Sequence, residues 1–186
     1  MNLPNKLTVL RIILAGVFML FLFMHGVLFK MLALLTFLLA SLTDLLDGYI
    51  AKKYNMVTDF GKLMDPIADK ILVLSAFLAF VQMELIPAWM ALIIIFREIV
   101  ITGLRIAALT QGKVLAAEYG GKHKMVSQVA SIFVILLFLI FREAGTKLFD
   151  GSVIFILMLI TTFLTLGSGI SYLIKNRGVY FASRNF

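Results

Sequence analysis

Asp44-Leu45-Leu46-Asp47-Gly48-Tyr49-Ile50-Ala51-Lys52, followed eight residues later by Gly61-Lys62-Leu63-Met64-Asp65-Pro66-Ile67-Ala68-Asp69, is the stretch on which this chain turns. On a helix Asp44 and Asp47 are i,i+3 neighbours and Asp65 and Asp69 are i,i+4 neighbours, so each pair shares one face. Two helices joined by a short loop can aim all four carboxylates at one point. The chain has 10 acidic residues, and four of them fall here. Apolar sequence flanks both pairs, and an ionised side chain at the bilayer centre costs about 2.5–3.5 kcal/mol on insertion scales. Divalent cations offset such a cost, and Mg²⁺ and Mn²⁺ favour hard carboxylate oxygens. The stretch predicts a metal site at a membrane surface.

Composition agrees. The chain has 186 residues, 62% of them hydrophobic and 15% charged, with mean hydropathy +1.05. Soluble domains carry about 45–50% apolar and about 25% charged residues. The expected fold is an all-α integral membrane bundle of about six spans at ~20 residues each, with residues 1–186 forming one domain. Without cysteine there are no disulfides and no thiolate ligands. A net charge of +7 in such a protein points to loops against anionic lipid, with no nucleic-acid partner.

Apolar runs fall at about 8–27, 30–50, 66–84, 87–108, 124–142 and 152–174. The breaks carry Gly26 and Lys30, then Asn55 through Gly61, then Glu84 and Pro87, then Gln111 through Gly121, then Gly145 through Gly151. The first run has no small-residue cleavage site after it and is expected to be a retained span. Lysine and arginine crowd one side: Lys6, Lys52, Lys53, Lys62, Lys113, Lys122, Lys124, Lys175, Arg177 and Arg184. The other side holds Lys30, Arg142 and Lys147. The positive-inside rule then puts both termini and the aspartates on the cytoplasmic side of the cell's inner membrane.

Each element of the stretch has a chemical use. Carboxylate pairs at this spacing can bridge two metals about 3.5–4 Å apart, an arrangement that stabilises in-line phosphoryl displacement. Gly48 and Ala51 leave bare helix surface for a bulky group. Lys52 places a cation by the same metals. Gly61 is expected to open the next helix near its positive end, where phosphate binds readily. The plain alternative, carboxylates paired with Lys53, Lys62 or Lys70, explains one aspartate better than four.

The pattern D-x2-D-G-x2-A-K-x8-G-x3-D-x3-D resembles the signature of the CDP-alcohol phosphatidyltransferases, which join a CDP-activated lipid or alcohol to a second alcohol and release CMP. Lys52 stands where the family usually has arginine, keeping the charge and losing the planar fork. The resemblance implies six helices, a homodimer, and two divalent cations (Mg²⁺ or Mn²⁺) held by Asp44, Asp47, Asp65 and Asp69. It implies that Asp69 is the general base. It also implies a CDP-diacylglycerol site formed by Asn5, Thr8, Arg11, Asp44, Asp47, Gly48, Ala51, Lys52, Gly61 and Asp65.

Within the family the similarity is to bacterial phosphatidylglycerophosphate synthases. It runs through Asn2 to Arg11, Phe96 to Arg105, and Gly121-Lys122-His123-Lys124-Met125 with Gln128, where Met125 replaces a usual threonine. That likeness implies glycerol 3-phosphate as acceptor, and Arg105, Lys122 and Lys124 offer cations for its phosphate. Serine, inositol phosphate or phosphatidylglycerol would be the acceptor in other branches. A divalent-cation transporter is the reading from another class, since intramembrane carboxylates also mark ion paths. Against it, the aspartates sit at helix ends and a transporter carries ligands near the midplane.

Structural readings stand beside these. Arg11 could snorkel to headgroups. Arg97 and Glu98 are consecutive, do not share a helix face and lie deep in a span, open to pairing or function. His123 reads as a loop residue and Trp89 as an interfacial anchor. Gly167 and Ser171 read as a small-xxx-small packing pair.

Overall fold

A computed structural model describes residues 3–54, 59–110, 119–146 and 149–177, with side chains described for 8–43, 67–68, 70–108, 124–146 and 149–177. Among the described residues there are six helices: α1 (Leu3–Phe23), α2 (Val27–Tyr54), α3 (Asp59–Gln82), α4 (Ala88–Thr110), α5 (Tyr119–Glu143) and α6 (Gly151–Lys175). Each contains one apolar run. The helices overshoot those runs at the ends that face each other in sequence: α2 continues past residue 50 to Tyr54, and α3 starts at Asp59, seven residues before its run. Gly61 and Pro66 therefore lie inside α3 and do not open it. The apolar run marks only the part of a helix suited to hydrocarbon. At 1.5 Å per residue the 28 residues of α2 span about 42 Å, more than the ~30 Å hydrocarbon core.

The short connections are closed by local chemistry. Gly26 turns α1 into α2 with φ +108°, and Gly145 leaves α5 with φ +75°, both in the left-handed region that glycine adopts without strain. Glu84 adopts φ +58° between α3 and α4, and Leu85 donates its N–H to the Phe80 carbonyl at 2.9 Å.

Helix α1 packs chiefly against α2 and α3, α6 packs against α4 and α5, and α2 also meets α5. The interior is filled by Phe18, Phe37, Phe77, Phe80, Met90, Ile94 and Ile135, all fully buried. Phe18 and Phe37 meet with ring centroids 5.9 Å apart. The outward faces are apolar too: Leu20, Leu28, Leu92, Phe96, Val126 and Phe163 are each at least 65% exposed. A soluble monomer rarely shows so continuous an apolar surface, and two helices, Lys124–Glu143 and Gly151–Lys175, are long and apolar enough to cross a membrane. This is the surface of a membrane protein. Trp89 is half exposed at the start of α4.

One packing expectation fails. Gly167 and Ser171 face outward, while Ser168 and Gly169 are buried. A Cβ on Gly169 would lie 2.9 Å from Cγ of Arg97. The small-residue face of α6 is displaced from the expected one because it must admit an arginine from α4.

Candidate functional site

The backbones of Asp44 and Asp47 are helical in α2, and those of Asp65 and Asp69 in α3. Their spacing therefore has the helical geometry on which the shared faces depend. The side chains of all four lie outside the described residues, as do those of Asn5, Gly48, Ala51, Lys52, Gly61, Lys122 and His123. Carboxylate oxygens are hard donors of the kind that Mg²⁺ and Mn²⁺ favour, and among the described residues no group of metal-ligating side chains is found.

Thr8 and Arg11 lie one turn apart on the inner face of α1, each 1% exposed. Arg11 therefore does not snorkel to headgroups. With Ser41 it lines a cavity of about 450 Å³ whose other walls are apolar, Leu38, Leu72, Val73, Val129 and Phe133 among them. Met125 lines the same cavity. A cation beside a hydrocarbon-lined space can receive an anionic head that carries apolar chains.

The largest polar cluster among the described residues centres on Glu98, which is 2% exposed in the middle of α4. Lys124 of α5 donates to its Oε1. Gln128, one turn further along α5, donates to the same oxygen at 3.3 Å and to Thr165 Oγ1 of α6 at 3.3 Å. Lys70 of α3 lies 3.5 Å from Oε2. Arg97 reaches back to Oε1 at 3.2 Å and donates through Nη2 to Ser168 Oγ at 3.1 Å. Adjacent residues point to different sides of a helix, yet the long arginine side chain folds over Gly169 and closes the pair. Of the two readings left open for Arg97 and Glu98, pairing is the one seen here, made possible by the length of the arginine side chain. The cluster joins four helices, and Lys70 is next in sequence to Asp69.

Lys124 is therefore a buried partner of Glu98, not a loop cation. Arg105 is exposed, with its guanidinium 5.9 Å from the centroid of the Tyr172 ring. Sequence reasoning named Glu98 without a role and did not name Lys70 or Thr165 as its neighbours. The available signal was the intramembrane carboxylate itself, which must be paired. Glu98 and Lys70 also line an open groove of about 310 Å³ between α3 and α4, beside Ile67, Ile71 and Gly103.

Residues 1–167 match the family model described as CDP-alcohol phosphatidyltransferase. The chain belongs to that family. It is 39% identical over 187 residues to the CDP-diacylglycerol–glycerol-3-phosphate 3-phosphatidyltransferase of Bacillus subtilis, covering 94% of this chain and 95% of the relative. The protein of the same name from Rickettsia bellii is 37% identical over 178 residues, covering 92% and 93%. That of Cereibacter sphaeroides is 35% identical over 140 residues, covering 73% and 63%.

Proposed function

We propose that the protein transfers the phosphatidyl group of CDP-diacylglycerol to sn-glycerol 3-phosphate, giving phosphatidylglycerophosphate and CMP. The observation that carries this reading is Arg11, a guanidinium 1% exposed at the wall of an apolar cavity of about 450 Å³, the pairing that a diphosphate on two acyl chains requires. The acceptor is carried over from the Bacillus subtilis and Rickettsia bellii relatives, named for glycerol 3-phosphate and similar over more than nine-tenths of the chain.

In this reading, residues 1–186 are one domain of six spans in the inner membrane. Both termini and the active site face the cytoplasm, and two copies form a homodimer. CDP-diacylglycerol enters sideways from the cytoplasmic leaflet. Asn5, Thr8, Arg11 and Lys52 hold its diphosphate, and Gly48, Ala51 and Gly61 let the nucleotide lie close to the helix backbone. Asp44, Asp47, Asp65 and Asp69 would hold two Mg²⁺ or Mn²⁺ ions, which supply charge neutralisation for the diphosphate when bound. Arg105, Lys122 and Lys124 bind the phosphate of the acceptor and so orient its C1 hydroxyl. Asp69 takes the hydroxyl proton as the oxygen attacks the β-phosphorus. The bond from that phosphorus to the bridging oxygen breaks, and CMP departs with the electron pair.

Purified protein given CDP-diacylglycerol, Mg²⁺ and a panel of acceptors should release CMP with glycerol 3-phosphate and form phosphatidylglycerophosphate. Chelation should stop the reaction, and Mg²⁺ or Mn²⁺ should restore it. CMP release with serine or inositol phosphate alone would move the protein to another branch of the family. Metal flux through liposomes without CMP release would replace the enzyme reading with a transporter.

A further inference from the structure

We infer that Glu98 is a positioning residue for the acceptor: its buried carboxylate holds Lys124 and Lys70, from two other helices, beside the catalytic end of α3. The inference rests on the proposed role of Lys124 at the acceptor phosphate.

Three cations face this one carboxylate, Lys124 and Lys70 across helix interfaces and Arg97 from the neighbouring position. Brought together without it, they would repel one another in a poorly solvated interior. A buried ammonium with no counter-charge leaves its site or loses its proton. Glu98 is itself fixed: Gln128 binds it and is tied in turn to Thr165, while Arg97 is anchored on Ser168 and seated over Gly169. The carboxylate is thus held from α5 and α6 and cannot follow the lysines.

A competing reading makes Glu98 a rival of the acceptor phosphate for Lys124. Donor arithmetic favours positioning. An ammonium has three donors, and Glu98 engages Lys124 through one oxygen that it shares with Arg97 and Gln128. Donors therefore remain on Lys124 for a phosphate, with no displacement needed. Lys70 adjoins Asp69 in sequence, so the same carboxylate sets the charge next to the proposed base.

The test uses full-length protein in nanodiscs, measuring kcat and both KM values for E98Q, K124M and the double variant. E98Q should raise the KM for glycerol 3-phosphate about tenfold, the scale of one charge-assisted hydrogen bond, and leave the KM for CDP-diacylglycerol unchanged. K124M should do the same, and the double variant should be no worse than K124M, because residues acting through one another are not additive. K124M with an unchanged acceptor KM would sink the acceptor assignment of Lys124. A raised acceptor KM in K124M with no rise, or a fall, in E98Q would sink only the role of Glu98. Effects that multiply in the double variant, or a rise in both KM values with a lowered thermal midpoint, would make Glu98 a scaffold residue. E98D keeps the charge and withdraws it by one methylene. Should E98Q not fold, E98D decides: a selective rise in acceptor KM supports positioning, and an equal change for both substrates, or none, overturns it.

Discussion

Two ion clusters sit at different levels of the bundle, and their partners differ in kind. In the turn between α1 and α2, the Lys30 ammonium donates to the carbonyls of Leu22 and Met24 at 2.7 and 2.8 Å. Glu143, 3.8 Å from Lys30, accepts the N–H of Gly26 at 3.3 Å. Backbone groups that helix termini leave without partners are satisfied there by side-chain ions. Around Glu98, by contrast, the described bonds run from side chain to side chain across four helices. An ion closed on backbone cannot be given up without opening a turn. Ions held by other side chains can turn a remaining donor to a ligand without opening a turn. The first cluster should therefore report in stability and the second in kinetics.

The largest effect is expected at the four aspartates of α2 and α3. Asp44→Asn, Asp47→Asn and Asp65→Asn should weaken metal binding and nearly abolish turnover. Asp69→Asn should still bind CDP-diacylglycerol by calorimetry and lose at least ~10²-fold in CMP release, the usual scale for a general base. Near-normal turnover in Asp69→Asn would transfer activation of the hydroxyl to metal alone.

Lys30→Met should behave in the opposite way. It strips two carbonyls and a carboxylate of their partner at a buried position, a loss of about 1–3 kcal/mol. The thermal midpoint in detergent should fall while both KM values stay put. A changed acceptor KM with an intact midpoint would erase the distinction between the clusters.

Why were the helices and their spacings legible in the sequence and the Glu98 cluster not? The aspartate signature is local: its i,i+3 and i,i+4 spacings are set by helix geometry and need no knowledge of neighbours. The helix count was legible for the same reason, since each apolar run became one helix. The Glu98 cluster depends on how α3, α4, α5 and α6 pack, and no spacing along the chain encodes that. Lys124 read as an available cation because its partner lies 26 positions away. The face of α6 was misread because Gly169 is small for the sake of a side chain on another helix. The sequence pattern Gly167–Ser171 gave no sign of Arg97.

That contact gives the next prediction. Gly169→Ala sets a methyl 2.9 Å from Arg97 Cγ, so the arginine must move or α4 and α6 must part. Overpacking of this kind costs about 1–3 kcal/mol. Because Arg97 also binds Glu98, part of the change should appear as a raised acceptor KM. A drop in midpoint alone would detach Arg97 from the acceptor site and leave it a packing residue.

The smallest effect is expected at Arg105, which belongs to neither cluster and shows which rule extends to it. Its guanidinium lies 5.9 Å from the centroid of the Tyr172 ring, and the ring is buried. The Tyr172 hydroxyl has no hydrogen-bond partner among the described residues. A cation–π contact at an exposed arginine is worth about 0.5–1 kcal/mol. Tyr172→Phe keeps the ring and removes the unpartnered hydroxyl, so stability should hold or rise slightly and the kinetics should not change. Tyr172→Leu removes the face on which Arg105 rests. If the ring holds Arg105 toward the acceptor, the KM for glycerol 3-phosphate should rise by about two- to fivefold, the equivalent of that contact, with the KM for CDP-diacylglycerol unchanged. If Tyr172→Leu and Tyr172→Phe are kinetically alike, the ring merely packs α6, and Arg105 reaches the acceptor, if at all, without help from it.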